Sequence, residues 1–348
     1  MSTVRPGAEA PPAGRGAAGR PVRPSFLTTL RKPHTLGTFG PPAALILLCI
    51  IFSIASPQFA TWNNVRGILD SSAVLAVITV GLTFVLLLGA IDLSVEGVMA
   101  ASALSVALLL ANNRNGIDLG LLGIVAAVAI GASFGLANGL LSTRLRIPSF
   151  MTTLGVSAIG IGVATVLFSG VQPTITSPVV AEWANGQFFG LTRLTFIAIA
   201  VVIVGVLVQR YTRLGRYARV IGGAEDLAGL SGIRVARYKT LAFVLAGALY
   251  GLGGVMVTIQ LGSGIVAAGA GQNFTAITAA VVGGTLLAGG RGGVIQSVIG
   301  VLIVTVLANG LVLVGVSPYV QKAVQGIIVV AAVVLTNWPL RERMRVVK

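Results

Sequence analysis

Residues 73–91 read AVLAVITVGLTFVLLLGAI, an apolar run unbroken by any charged side chain. It shows neither the alternation of a half-buried strand nor a polar stripe at helical spacing. A helix of about 20 such residues spans the hydrocarbon of a bilayer and satisfies its backbone hydrogen bonds within its own segment. Working outward, comparable runs recur near 41–57, 97–112, 119–141, 150–170, 194–209, 241–261, 274–290, 293–314 and 319–338. Two are shorter than the roughly 20 residues a bilayer needs, so some spans tilt, break or borrow flanking residues. The reading is an all-α polytopic membrane helix bundle of about ten spans, a transmembrane domain over 41–338. Composition agrees: 55% of residues are hydrophobic and 9% charged, against about 25% charged in soluble domains. Unbroken runs also exclude a strand-built pore, whose spans alternate.

Residues 1–40 are rich in Pro, Gly, Ala and Arg without helical or strand period, which predicts a flexible basic cytoplasmic tail. Residues 339–348 read as a second cytoplasmic tail. Gly14-Arg15-Gly16-Ala17-Ala18-Gly19 matches the dinucleotide-binding fingerprint by letter. It has no strand before it and no helix pattern after it, so it carries no nucleotide reading. A signal peptide is the other reading of the basic start and first run, but the long tail and the many later spans favour an uncleaved span.

The net charge of +15 could signal nucleic acid, but its placement gives another reason. With the tail in the cytoplasm and an even number of crossings, the inside holds Arg5, Arg15, Arg20, Arg23, Arg31, Lys32, Arg144 and Arg146. It also holds Arg210, Arg213, Arg216, Arg219, Arg234, Arg237, Lys239 and Arg291, then Arg341, Arg343, Arg345 and Lys348. Arg66, Arg114, Arg193 and Lys322 fall outside or near the outer face. The positive-inside rule therefore places both termini in the cytoplasm. An internal repeat fits the same count. Leu136-Ala137-Asn138-Gly139-Leu140 recurs as Leu307-Ala308-Asn309-Gly310-Leu311. The copies lie five spans apart in this count, and an odd offset sets them in opposite directions, as in inverted-repeat transporters; chance recurrence in a biased composition is the other reading.

Cys49 and His34 are solitary, which excludes disulfides, cysteine–histidine metal clusters and Cys/His nucleophile pairs. No G-x-x-x-x-G-K-[ST] motif occurs, so any ATP that drives this chain is bound elsewhere. Asp92 and Glu96 lie between two apolar runs. One reading makes them an intramembrane proton relay on one helix face. The favoured reading puts them in a cytoplasmic turn, with Asp92 capping the next helix. Gly131, Gly135 and Gly139 are spaced by four, as are Gly247 and Gly251, which predicts close approach of another backbone. Within 210–240, Glu225 and Asp226 open a short helical pattern carrying Leu227 and Leu230. Acids at its start suit the helix dipole. A solvated loop accounts for the arginines there, whereas a docking helix for a cytoplasmic partner also accounts for the embedded helix.

Three ordered blocks now carry a resemblance. The first is Ile91-Asp92-Leu93-Ser94-Val95. The second is Asn138-Gly139-Leu140-Leu141, leading to Arg146-Ile147-Pro148-Ser149-Phe150 and Thr153-Leu154-Gly155. The third runs from Thr212-Arg213-Leu214-Gly215-Arg216-Tyr217 through Ile221-Gly222-Gly223 and Leu230-Ser231-Gly232-Ile233. It continues to Leu261-Gly262-Ser263-Gly264, Gly283-Gly284-Thr285 and Gly289-Gly290-Arg291-Gly292. Together they resemble the membrane permease subunits of ribose-type ATP-binding-cassette sugar importers. The resemblance implies a transport subunit and not an enzyme, in a bacterial inner membrane. It implies partners: a second permease copy, cytoplasmic ATPase subunits that hold the ATP and magnesium, and an extracytoplasmic sugar-binding protein. Membrane lipid surrounds such a subunit, and no nucleic acid or cofactor is expected on it. Gly223, Ala224, Glu225, Asp226, Leu227, Leu230 and Gly232 then match the family's ATPase-coupling helix, with Gly232 permitting the turn after it. Departures from the family pattern are Glu96, where a small residue is usual, and Asn273 and Thr275, where acids are usual.

The expected function is alternating-access import of a monosaccharide such as ribose or xylose. Asn138, Thr152, Thr153, Asn309 and Gln325 are the candidate polar contacts of the path, and helix-stabilising hydrogen bonds explain them equally well. The rivals are a permease for nucleosides or branched-chain amino acids and an ion-coupled secondary transporter using Asp92 and Glu96.

Overall fold

Apolar runs become helices here because hydrocarbon offers the backbone no outside partner. A computed structural model describes residues 33–317 together with positions 320, 323, 324, 326 and 327. In chain order its helices are α1 (Pro33–Ala55), α2 (Trp62–Leu87), α3 (Val95–Leu109), α4 (Leu121–Arg144), α5 (Ser149–Phe168) and α6 (Pro178–Asn185). A two-residue hairpin follows, β1 (Gln187–Phe188) with β2 (Leu191–Thr192), then α7 (Arg193–Tyr211), α8 (Arg213–Gly223) and α9 (Glu225–Leu230). The rest is α10 (Val235–Leu261), a 3-10 turn (Val266–Gly269), α11 (Gln272–Val282) and α12 (Val294–Leu313).

Among the described residues, six helices are long and apolar enough to cross a membrane: α2, α4, α5, α7, α10 and α12. Shorter apolar helical stretches are Phe39–Ala55, Val95–Leu109 and Val266–Val282. The architecture is thus an all-α membrane bundle, whereas the count of about ten spans exceeds the six such helices among the described residues. The run read as 319–338 lies almost wholly outside the described residues. The run read as one span over 274–290 stops at Val282 and gives way to a glycine-rich turn over 283–293. Hydropathy does not see this, because glycine and alanine count as apolar whether or not they are helical. α1 begins at Pro33, ahead of the boundary composition suggested, while α6 and the hairpin fall between the runs read at 150–170 and 194–209.

α2 and α10 form the centre, and both are apolar all round because they are packed on several sides. Ile78, Leu82, Val85 and Leu86 of α2 are wholly buried against Phe243, Ala246 and Tyr250 of α10. The two run antiparallel, with Gly81 beside Ala246 and Ile78 beside Gly253. The glycine pattern behaves as the spacing predicted. Gly131 faces Gly247, Gly135 faces Phe243 and Gly139 faces Thr240, so α4 lies antiparallel on α10 at backbone contact. A Cβ added at Gly131 would lie 2.8 Å from the Gly251 Cα, and one at Gly139 would lie 2.7 Å from the Thr240 Cα. α12 is antiparallel to α2, since Thr83 pairs with Ser297 and Asn64 with Asn309. It follows that α4 and α12, which carry the two Leu-Ala-Asn-Gly-Leu copies, run in opposite directions.

Candidate functional site

The most chemically loaded part of the bundle is the break between α2 and α3. α2 ends at Leu87, Gly89 turns the chain with φ +73°, and α3 starts at Val95. A broken span exposes backbone N–H groups that hydrocarbon cannot satisfy. A stripe on α5 satisfies them. The Ser149, Thr153 and Ser157 hydroxyls, each four residues apart, accept from the N–H of Ile91 (3.1 Å), Leu93 (3.0 Å) and Gly97 (3.2 Å). Asp92 is 1% exposed. Its Oδ1 accepts from the Ser94 N–H (2.9 Å) and hydroxyl (2.6 Å), and its Oδ2 from the Tyr250 hydroxyl (3.2 Å). The Asn138 amide then donates to Ser94 Oγ (2.9 Å), while Asn138 Oδ1 is buried without a hydrogen-bond partner. A buried carboxylate holding three hydrogen bonds is a rigid anchor, because any lost partner leaves a costly unpaired acceptor.

The break is joined to the surface segment by glycines. Gly222 at the end of α8 lies against Leu87 O and the Gly290 N–H, and that N–H donates to Leu87 O (3.0 Å). Gly289 abuts Gly89: a Cβ at Gly289 would lie 2.6 Å from the Gly89 nitrogen. Gly290 holds φ +74°, which a larger residue resists. Side chains fix the same turn. Thr285 Oγ1 accepts from the Gly293 N–H (3.2 Å), Ser297 bonds Thr83 (2.8 Å) and Thr285 (3.0 Å), and Gln209 Oε1 accepts from the Val294 N–H (2.9 Å). Three chain segments therefore meet at one end of α2.

The same end gathers the charge. The contacts of α2, α4, α8, α10 and the 283–293 turn put Arg144, Arg146, Arg210, Arg213, Arg216, Arg219, Arg234, Arg237, Lys239 and Arg291 together. Arg66, Arg114 and Arg193 sit at the opposite end. On the basic end, α9 is six residues long and presents Leu227 and Leu230 outward, 63% and 85% exposed, over the buried Ala228. Glu225 is paired with Lys239 Nζ at 2.6 Å, which ties α9 to the start of α10. Gly232 has φ +79° and turns the chain into α10.

A broken span thus meets, through close glycine contacts, an outward-facing helix at the basic end. Comparison with known sequences decides the family: residues 64–333 match the family described as branched-chain amino acid transport system / permease component. The chain belongs to this permease family. The permease is 39% identical to a ribose import permease protein of Bacillus subtilis over 85% of this chain and 91% of that one. It is 35% identical to a probable ABC transporter permease protein of Escherichia coli, over 88% and 91%. It is 31% identical to an L-arabinose transport system permease protein of Escherichia coli, over 87% and 90%. No solved structure matches it.

The permease places the predicted residues as follows. Asp92 is not in a solvated turn; it is buried and bonds Ser94, and α3 has Ser94 as its cap with no side-chain capping bond. Nor do Asp92 and Glu96 share a helix face, since only Glu96 is on α3. Asn138, Thr152 and Thr153 cluster at the break, where the Asn138 N–H and both hydroxyls make structural bonds, Thr152 Oγ1 donating to Ser149 O (2.9 Å), and only Asn138 Oδ1 is left unpaired. Asn309 is elsewhere, in a reciprocal amide pair with Asn64 (3.0 and 2.9 Å). Gln325 lies outside the described residues. Gly223, Ala224, Glu225, Asp226, Leu227, Leu230 and Gly232 stay together on and beside α9. Sequence reasoning missed Ser149 and Ser157, whose spacing from Thr153 was the available signal, and Tyr250, for which no local pattern existed.

Proposed function

We propose that this chain is the membrane permease of an ATP-driven importer for a monosaccharide, with ribose and arabinose as the substrate class. The observation that carries the mechanism is the exposed pair Leu227 and Leu230 on α9, at the basic end and one glycine joint away from the broken span. The relatives named for ribose and L-arabinose import support the sugar. By the positive-inside rule the basic end faces the cytoplasm and both termini lie there. A cytoplasmic ATPase seats α9, and its closure pushes α8 through Gly222 against the end of α2. No bond is made or broken on this chain; ATP and magnesium belong to the ATPase. An extracytoplasmic binding protein delivers sugar to the other end.

A second permease copy completes the path. Gly155 and Gly162 lie on the outward side of α5 with nothing within 4 Å, which leaves room for a close helix–helix contact. An ion-coupled relay is disfavoured, because both Asp92 oxygens are engaged and Glu96 is not joined to them.

The docking reading is tested with Leu230→Asp. The site is 85% exposed, so the variant folds like the wild type by gel filtration. It is expected to lose co-purification with the ATPase encoded for this importer; undiminished co-purification contradicts the docking role.

A further inference from the structure

Two helices begin inside the bundle rather than at its ends, and their starts meet. α3 opens at Val95 and α11 at Gln272. The Glu96 N–H donates to Asn273 Oδ1 at 3.0 Å. The 3-10 turn is pressed onto the same place: a Cβ at Gly269 would lie 2.6 Å from Glu96 O. Glu96 is half-buried, and among the described residues its carboxylate has no hydrogen bond or ion pair. Gln272 Oε1 is buried without a hydrogen-bond partner. Next to them the Phe274 ring is 72% exposed, alongside the exposed Ala267, Ala270 and Gly271.

Asn273 Oδ1 is engaged by the Glu96 N–H, but the Glu96 carboxylate and Gln272 Oε1, unlike Asp92, carry no bond that the fold uses among the described residues. An acid within a membrane bundle is costly and marks a functional position unless it is paired. An orphaned buried amide oxygen likewise calls for a donor. We propose that Glu96, Gln272, Asn273 and Phe274 form the subsite that receives a neutral polyhydroxylated substrate of pentose size inside the permease. The proposal rests on the sugar-import reading above. The chemistry matches in kind. A carboxylate accepts from two adjacent hydroxyls in charge-assisted bonds. An amide side chain both accepts from and donates to hydroxyls. An exposed aromatic ring covers the apolar C–H face of a sugar ring, while small neighbours leave space beside it. The departures at Glu96 and Asn273 from the usual family pattern then fall on the substrate itself.

The test uses the full transporter in vesicles, with its ATPase and its binding protein, and labelled ribose and arabinose at saturating loaded binding protein. Glu96→Gln and Gln272→Ala are expected to lower uptake by about tenfold or more, the loss of one hydrogen bond to a charged or buried polar group. Glu96→Asp is expected to recover part of that loss for one of the two sugars. Phe274→Ala removes an exposed ring, leaves folding intact and is expected to reduce uptake several-fold, about 3 to 10. Uptake at the wild-type rate in Glu96→Gln, Gln272→Ala and Phe274→Ala overturns the subsite. If the wild type itself moves neither sugar with both partners present, the sugar reading fails instead.

Discussion

At the residue scale, the side chains around the break separate structural from functional polarity. Thr153 looked like a path residue because a threonine among apolar neighbours is conspicuous. Its hydroxyl instead accepts the Leu93 N–H that the break leaves unpaired (3.0 Å). Thr153→Val keeps the shape and removes the acceptor, which should destabilise the folded permease by about 1–3 kcal/mol, while Thr153→Ser should restore most of it. Thermal unfolding in detergent reads the difference; a Thr153→Val midpoint equal to the wild type would falsify the role assigned to this hydroxyl. Asp92 shows what sequence alone leaves open. A carboxylate between two apolar runs fits a solvated cap or a buried anchor, and only the partner Tyr250, 158 positions away, decides between them.

At the element scale, spacing was the reliable signal. Glycines four apart place a bare face on α4 and another on α10, and those faces meet. Gly135→Ala would drive a methyl into the Phe243 backbone, which cannot retract as a flexible side chain does. Gly67→Ala, on an exposed part of α2 with nothing within 4 Å, introduces no such conflict. The expected outcome is a loss of folded yield and of several degrees in unfolding temperature for Gly135→Ala. Gly67→Ala should be neutral or slightly stabilising, since alanine is the better helix former by about 1 kcal/mol. Equal effects of the two would contradict backbone-contact packing of α4 on α10. The ends of elements were less legible. Nothing in a hydropathy profile distinguishes the helical Gln272–Val282 from the glycine-rich turn after it. What ends α11 is the geometry of that turn, held by Thr285 within it and by Ser297 and Gln209 from outside it.

At the scale of the whole molecule, the charge that first suggested nucleic acid is a matter of ends. Basic side chains from four separate stretches collect at one end of the bundle, around α8, α9 and the glycine joint at Gly222. The helical class could be read from sequence, because it follows from local periodicity, whereas the direction reversal between the two repeat copies is fixed by the contacts of α4, α10, α2 and α12. The inner constellation of Glu96, Gln272 and Asn273 could not be read from sequence, since it is made by two helix starts that lie 177 residues apart. The account as a whole claims that movement supplied at the basic end drives a sugar through the bundle. The most direct measurement is uptake of labelled ribose into vesicles holding this permease with its ATPase and binding protein, with and without internal ATP. The account predicts uptake that requires ATP and both partners and ignores proton or sodium gradients. Uptake driven by such a gradient without the ATPase would contradict it.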